Sequence, residues 1–204
     1  MKRKKIIGLT GSIATGKSTT AEILMELGFE IIDADKIAHL LMEKGQINYL
    51  EIVKDFGQGI LDSNGEIARD KLSKLVFEDK EALNKLNELT HKNIFSYIKD
   101  RIEEAKGHVV FVDIPLLVEL LKEKKMDLKF DEIWLVYVDR KTQLERLMAR
   151  NSFSEEEAVK RINSQMSVEE KVDYADVIIK NDGDLDHLRR QILENIGRLN
   201  ESHI

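Results

Sequence analysis

Gly11-Ser12-Ile13-Ala14-Thr15-Gly16-Lys17-Ser18 has the spacing G-x-x-x-x-G-K-[ST] of a phosphate-binding loop. A short apolar run, Lys4–Thr10, precedes this stretch, and Lys17–Leu27 follows it with the apolar periodicity of a helix that stops at Gly28. A buried strand before the loop and a helix after it are the context that the motif requires. The sequence therefore predicts a strand, a phosphate-binding turn and a helix in direct succession.

The residue types of this loop suit the binding of a nucleotide. Glycines at positions 11 and 16 allow a tight turn, so that successive N–H groups point at a phosphate from the positive end of a helix. Lys17 can reach the β- and γ-phosphates, and the hydroxyl of Ser18 is a hard oxygen ligand suited to Mg²⁺. We expect every residue of the loop, together with Thr19, to bind the nucleotide. The alternative is a ligand-free turn, which the flanking strand and helix disfavour.

Composition bounds the class of protein. The chain of 204 residues is long enough for one α/β domain with a helical insertion but not for two independent domains. It contains no cysteine, which excludes disulfides and thiolate metal sites and is consistent with a reducing cytosol. Its net charge of −6 gives no general attraction for nucleic acid or an anionic membrane. No apolar run reaches the roughly eighteen residues that span a bilayer, so we expect a cytoplasmic protein. We also expect it to be a monomer.

Two further apolar strands end in carboxylates. Phe29–Asp35 closes with Asp33 and Asp35, and His108–Asp113 closes with Asp113. The carboxyl ends of parallel strands border the ligand crevice, so we expect the second strand to neighbour the first and Asp33 to face the loop. Asp33 is the candidate base for a phosphoryl acceptor, with N-capping of the next helix as the alternative for either of the first two aspartates. Asp113 is the candidate support for Mg²⁺.

Residues 36–106 are mostly helical in pattern, and they are far more numerous than a crossover needs. We interpret this block as an insertion that shapes an acceptor site. The stretch Asp62–Gly65 matches the D-x-x-G motif of GTPases, but no Asn-Lys-x-Asp guanine motif follows, so it is interpreted as a turn. His91 is either a structural helix residue or a substrate contact. Two apolar stripes are expected, one at Ile47, Leu50, Val53 and Phe56 and the other at Leu83, Leu86, Ile94, Ile98 and Ile102.

The segment after the third strand carries the single proline of the chain, Pro115, followed by Leu116 and Leu117. These residues either offer an apolar wall to a substrate or pack in the core. A fifth strand runs into a turn at Asn181–Gly183, which we expect beside the phosphate-binding loop, where Asn181 and Gly183 can hold a nucleotide base.

Asp131–Asp139 is predicted to be a fourth strand, and two short helices between it and the fifth strand carry arginines. Arg146 and Arg150 are four residues apart and therefore share a helical face, and Ser154 with Glu157 forms the capping box of the second helix. We interpret this pair as a lid whose arginines neutralise a triphosphate. The alternative is a solvated helix pair whose arginines form ion pairs with nearby glutamates.

Five stretches together resemble the motifs of dephospho-coenzyme A kinases, in the order and spacing of that family and over nearly the whole chain. The pieces Asp33-Ala34-Asp35 and Asp113-Ile114-Pro115-Leu116-Leu117 discriminate best, because many families share the phosphate-binding loop. The chain departs from the family at Ser12, where a second glycine is common, and at Lys92, where a proline commonly follows the histidine. The stretches are Gly8–Ser18, Ile32–Asp35, Asp113–Glu119, the segment with Gln143, Arg146 and Arg150, and Ala175–Gly183.

The resemblance implies ATP- and Mg²⁺-dependent phosphorylation of the ribose 3′-hydroxyl of dephospho-coenzyme A, the last step of coenzyme A biosynthesis. The implied fold is a P-loop NTPase-like three-layer α/β/α structure with a five-stranded parallel sheet. Its parts are a nucleotide-binding core (approximately 1–35, 107–140 and 174–204), a helical substrate region (36–106) and a small lid (141–173). The implied catalytic residues are Asp33, Lys17, Arg146 and Arg150, the metal residues Ser18 and Asp113, and the acceptor residues Asp33, Asp35, His91, Pro115, Leu116 and Leu117.

Two other functions are compatible with the same residues. Acceptor choice depends on the inserted helices, so another small-molecule or nucleoside monophosphate kinase of this fold is the first alternative. A nucleotide-dependent switch that uses the loop only to change shape is the second, although the missing guanine motif argues against a GTPase.

Overall fold

The computed structural model describes residues 3–201. Within this range the strands are β1 Lys5–Gly11, β2 Glu30–Asp33, β3 Val109–Asp113, β4 Glu132–Tyr137 and β5 Val177–Lys180. The first five helices are α1 Lys17–Glu26, α2 Ala34–Leu41, α3 Ile47–Phe56, α4 Arg69–Glu78 and α5 Lys80–Glu104. The remaining helices are α6 Leu117–Lys122, α7 Arg140–Asn151, α8 Glu155–Ile162, α9 Val168–Val172 and α10 Leu185–Glu201.

The strands form one sheet in the order β2-β3-β1-β4-β5. Strand β1 pairs in parallel with β3 and β4, and β4 pairs in parallel with β5. The expectation that the second strand neighbours the first is wrong, because β3 lies between them. All five residues of β3 are buried, whereas only one of the four in β2 is buried. A strand that is apolar on both faces belongs inside a parallel sheet, and the less buried β2 takes the edge.

Helices cover both faces of the sheet, which confirms the predicted three-layer α/β/α class. On one face, α1 and α10 pack against alternate strand residues such as Ile7 and Leu9. The opposite face carries Gly8, where an added Cβ would lie 2.6 Å from Cδ2 of Leu117 in α6 and 3.1 Å from the ring of Phe130. Gly8 therefore lets α6 approach β1 closely, and this approach places the start of α6 beside the strand that leads into the loop.

The chain divides into two compact units. The first, here called the sheet unit, comprises Met1–Ile32 and Ala105–Ile204, and the second, the helical unit, comprises Asp33–Glu104. The helical unit has its own small core, in which Ile52, Ile60 and Leu72 are buried. Assigning a nucleotide core, a substrate region and a lid to stretches of the chain stays a prediction about their roles.

The stripe predicted for α3 is wrong in part. Ile47 and Leu50 are exposed, and the buried residues are Asn48, Tyr49 and Ile52. The reason is helical geometry: each step of three residues falls about 60° short of a full turn, so a strict three-residue spacing drifts around the helix. Burial instead follows the three- and four-residue steps that keep one face toward the core.

Helix α5 is a single helix of 25 residues. The predicted stripe at Ile94, Ile98 and Ile102 is confirmed as buried, whereas Leu83 is exposed. Despite its length, α5 carries charged residues throughout, and none of the helices within residues 3–201 is both long and apolar enough to cross a bilayer.

Two glycine substitutions are expected to change stability in opposite directions. Gly8→Ala places a methyl against fully buried Leu117 and should lower the free energy of unfolding by about 1–3 kcal/mol through overpacking. Gly197→Ala in α10 meets no atom within 4 Å and should raise it by about 0.8–1 kcal/mol through helix propensity. Urea unfolding of both variants measures the difference, and a Gly8→Ala protein as stable as wild type would contradict the close approach of α6.

Candidate active site

The phosphate-binding loop leads directly from β1 into α1, as the sequence predicts. Gly16 is the N-cap of α1 with a φ of 90°, and Ala14 also has a positive φ of 61°. The first turn of α1 contains no acidic residue, and no side chain caps its N–H groups. The N-terminal end of a helix is electropositive and its first N–H groups lack helical partners, so this end of α1 is suited to bind an anion.

Gly16 lies directly against Asn181, which follows β5. The side-chain Nδ2 of Asn181 donates to the carbonyl of Thr15 at 2.9 Å, and a Cβ added at Gly16 would collide with that nitrogen. The carbonyl of Asn181 in turn accepts from Nη2 of Arg146 at 2.8 Å. The prediction that the turn after the fifth strand lies beside the loop is therefore confirmed, and Arg146 is brought to the same place.

Lys17 and Asp113 form an ion pair at the start of α1. Their Nζ and Oδ1 atoms are 2.5 Å apart, and the side chain of Asp113 is only 6% exposed. The sheet register accounts for this pair, because Asp113 at the end of β3 stands opposite Leu9 of β1, two residues before the loop. A buried carboxylate beside the loop lysine is an arrangement that can support both a phosphate-binding cation and a metal ion.

The two residues that the sequence predicted for a metal ion are Ser18 and Asp113. Ser18 is exposed and follows Lys17, and the carboxylate of Asp113 pairs with Lys17. Within residues 3–201 there is no cluster of three or more His, Cys, Asp or Glu side chains that could hold a metal ion. One hydroxyl and one carboxylate fit Mg²⁺, which takes few protein ligands and fills its octahedron with phosphate oxygens and water.

Residues from the segment after β4 hold the first half of the loop. Nε2 of Gln143, a buried residue of α7, donates to the carbonyl of Ile13 at 2.7 Å, and the amide of Ile13 donates to Oε1 of Gln165 at 3.0 Å. Ile13 and Ala14 also pack against the apolar core between α7 and α8. The segment interpreted as a lid is thus bonded to the backbone of the loop.

The two predicted lid arginines differ in their surroundings. Arg146 donates to Asn181 next to the loop, whereas Arg150 is exposed and its Nε donates to Oδ1 of the adjacent Asn151 at 2.9 Å. The predicted capping box of Ser154 and Glu157 is present at the start of α8. Of the two arginines, Arg146 is the one that the structure brings to the loop.

Asp33 is both the last residue of β2 and the N-cap of α2. Its Oδ1 accepts from the amide of Lys36 at 3.0 Å, and its Oδ2 lies 3.3 Å from the Lys36 ammonium. The capping alternative is therefore confirmed for Asp33, while Asp35 lies exposed in the first turn of the helix. The amide and the ammonium of Lys36 thus lie against different oxygens of this carboxylate.

The remaining predicted acceptor residues have different degrees of exposure. Leu117 is fully buried in the core against Gly8, whereas Leu116 is 43% exposed. The carbonyl of Pro115 accepts hydrogen bonds from the hydroxyl of Thr10 and from the ammonium of Lys171, each at 3.1 Å. His91 lies in α5 with its ring centroid 5.7 Å from that of Phe95 in a tilted arrangement.

The sequence reasoning missed Lys171, a fully buried lysine in α9. Its ammonium lies 3.0 Å from Oε1 of Glu119, and burial lowers the pKa of Lys171 below its ordinary value while Glu119 acts in the opposite direction. A signal was present, because Val168, Lys171 and Val172 have the i, i+3, i+4 spacing of a buried helical face. The burial of Lys171 is nevertheless not expected from the sequence, because lysine is usually a surface residue.

Replacing Gly16 tests whether the shape of the loop is required. Gly16→Ala adds a positive-φ strain of about 1–2 kcal/mol and a collision with Asn181, so ATP affinity should fall roughly tenfold or more. Gly28→Ala is the matched control, since Gly28 has a similar φ of 87° but no atom within 4 Å of an added Cβ. Calorimetric titration with ATP should separate the two variants, and equal affinities would contradict a role for the Gly16–Asn181 contact.

Comparison with known proteins gives consistent results. The family model described as dephospho-CoA kinase matches residues 5–187. A dephospho-CoA kinase from Carboxydothermus hydrogenoformans is 49% identical over 92% of this chain and 91% of its own length. A crystal structure of a Thermus thermophilus protein matches with a TM-score of 0.81 and 31% identity over 97% of this chain and 99% of that one. A dephospho-CoA kinase from Campylobacter jejuni matches with a TM-score of 0.71 and 32% identity over 98% and 100%. On this evidence the chain belongs to the dephospho-CoA kinase family.

Proposed function

We propose that this protein transfers the γ-phosphoryl group of ATP to the ribose 3′-hydroxyl of dephospho-coenzyme A, giving coenzyme A and ADP. The observation that carries the proposal is the loop geometry at Gly11–Ser18, with Lys17 beside buried Asp113, in a chain that matches the family over residues 5–187. The geometry supports the use of a nucleoside triphosphate. The names of the relatives supply the acceptor, since the phosphate-binding loop alone is common to many kinases.

The donor end of the reaction depends on the loop. Its amide groups and Lys17 hold the β- and γ-phosphate oxygens, because they supply fixed dipoles and a cation where negative charge develops. Ser18 and Asp113 would hold Mg²⁺, which when bound neutralises charge on the β- and γ-phosphate oxygens. Asn181 and Gly183 border the base, a role supported by the contact of Asn181 with Thr15.

The acceptor end depends on Asp33. The 3′-hydroxyl oxygen forms a bond to the γ-phosphorus while the bond from that phosphorus to the β–γ bridging oxygen breaks. The hydroxyl proton goes to the Asp33 carboxylate, and ADP leaves with the electron pair of the broken bond. Asp35, His91, Pro115 and Leu116 are the proposed acceptor contacts. The full burial of Leu117 supports a role in the core instead.

Arg146 is the proposed lid cation. Its hydrogen bond to the carbonyl of Asn181 holds the guanidinium near the loop, where it can neutralise charge on the transferring group. Arg150 is proposed to reach the same charge only after α7 moves, since its Nε donates to Asn151. A cytoplasmic location and a monomeric state stay predictions.

An acceptor screen tests the function directly. Purified protein with ATP and Mg²⁺ is offered dephospho-coenzyme A, AMP, dTMP or shikimate, and ADP formation is measured. We expect turnover with dephospho-coenzyme A, and ³¹P NMR of the product should show a new phosphomonoester at the 3′ position. Turnover with another acceptor alone would favour the alternative kinase, and nucleotide binding without acceptor-stimulated ADP formation would favour a switch.

Replacing Asp33 tests the assignment of the base. Asn caps a helix about as well as Asp, so Asp33→Asn should keep the start of α2 while it removes the proton acceptor and the ion pair with Lys36. We expect normal folding and ATP affinity, with kcat lowered about 10²-fold or more. Steady-state kinetics and ATP titration measure these quantities.

Asp139→Asn is the matched control for this variant. Asp139 is also an N-cap aspartate that comes shortly after a strand, although it is more exposed than Asp33, and its carboxylate accepts from the amide of Thr142 at 2.9 Å. Its replacement should leave kcat unchanged. Near-normal turnover of Asp33→Asn would reject Asp33 as the base while leaving the kinase function itself intact.

A further inference from the structure

A chain of hydrogen bonds in the sheet unit, closed into a ring by the backbone Thr10-Gly11-Ser12, joins the phosphate-binding loop to the segment that follows β3. The ammonium of Lys171 donates to the carbonyl of Pro115 at 3.1 Å and to Oε1 of Glu119 at 3.0 Å. Pro115 is connected back to β1, because the hydroxyl of Thr10 donates to the same carbonyl at 3.1 Å. This ring, here called the Lys171 ring, runs through Thr10, Pro115, Lys171, Glu119, Met166 and Ser12.

The ring also contacts the phosphate-binding loop, through Met166 and Ser12. The amide of Met166 donates to Oε1 of Glu119 at 3.3 Å, and the carbonyl of Met166 accepts from the hydroxyl of Ser12 at 3.3 Å. The neighbouring Gln165 accepts from the amide of Ile13 at 3.0 Å. Thr10 and Ser12, which flank Gly11, are therefore both hydrogen bonded to groups that are linked to Lys171, and the adjacent Ile13 is bonded to Gln165.

Lys171 lies at the centre of this arrangement and is inaccessible. Its side chain is fully buried, so it cannot touch a nucleotide bound on the outer side of the loop. Oε2 of Glu119 is buried and accepts no hydrogen bond within the described residues, so the carboxylate depends on the Lys171 ammonium for compensation of its charge. A buried ion pair with backbone partners is costly to assemble, and positioning is one role that can explain its presence.

We propose that Lys171 is a positioning residue for phosphoryl transfer. Through the Lys171 ring it fixes the first half of the loop, Gly11–Ala14, relative to the carboxyl end of β3, where Asp113 meets Lys17. The inference rests on the proposed function. Small displacements of groups that stabilise the transition state reduce the rate of the chemical step far more than they reduce binding of the substrate.

A simpler role for Lys171 is to compensate the buried charge of Glu119. The two roles predict different behaviour when both partners are made neutral. In Lys171→Met the lone carboxylate is left buried, so stability and activity both fall. In the double variant Lys171→Met/Glu119→Gln the charge problem is removed but Pro115 still lacks its ammonium donor. Charge compensation alone therefore predicts recovery of activity in the double variant, and positioning predicts that activity stays low.

The experiment measures thermal stability, kcat and KM for ATP in wild type and both variants. For the double variant we expect a Tm near that of wild type, a kcat lowered roughly tenfold or more, and a KM for ATP within about threefold. Lys125→Met is the control, because it breaks a surface ion pair of Lys125 with Glu123 at 2.6 Å and should change none of the three quantities. A double variant with wild-type kcat would overturn the proposal.

A second readout does not depend on activity. Amide hydrogen exchange of residues 11–14 without nucleotide should be faster in the double variant than in wild type, because the loop loses part of its anchoring. If neither Lys171 variant folds, Thr10→Val opens the ring at Pro115 without altering a charge, and the same faster exchange is expected. Unchanged exchange in the variants that fold would overturn the proposal. Failure of the proposed function would instead show as wild-type protein that does not phosphorylate dephospho-coenzyme A.

Discussion

The absence of a side chain at Gly16 is the constraint on which the rest of the site depends. The residue caps α1 with a positive φ, and Asn181 fills the space that a side chain would need. As a result, α1 begins directly after the turn, and no side chain caps its first amide groups. The position of Lys17 follows from this geometry, since Lys17 is the first residue of the helix and reaches Asp113 on the neighbouring strand.

Local pairing of charges explains how an acidic chain can bind a polyphosphate. The protein carries a net charge of −6, so it has no general attraction for anions. At the loop, however, the electropositive end of α1 is joined by Lys17 and Arg146, and the carboxylate of Asp113 holds Lys17 in place. Fixed backbone dipoles and two placed cations act at short range, where net charge matters little.

The sequence predicts best what short stretches determine by themselves. β1, the loop and α1 were predicted together, because an apolar run, two glycines and a helical period lie within 24 residues, Lys4–Leu27. The capping box of Ser154 and Glu157 was predicted for the same reason. Strand order could not be predicted, since pairing joins distant segments, and β3 rather than β2 lies beside β1. The spacing of Val168, Lys171 and Val172 indicates a buried helical face, but it does not indicate that Glu119 lies against Lys171, because that contact joins distant segments. The roles of Asp33 and Arg150 stay predictions, because they concern contacts with substrates.

The proposed function requires that the backbone of the loop bind the phosphates of ATP. The most direct measurement is a titration of ¹⁵N-labelled protein with a non-hydrolysable ATP analogue, followed by NMR of the backbone amides. We expect the largest shifts at Gly16, Lys17 and Ser18, and adenosine, which lacks phosphates, should leave these three amides nearly unchanged. Largest shifts elsewhere in the chain, or equal shifts with adenosine, would exclude phosphate binding by the loop.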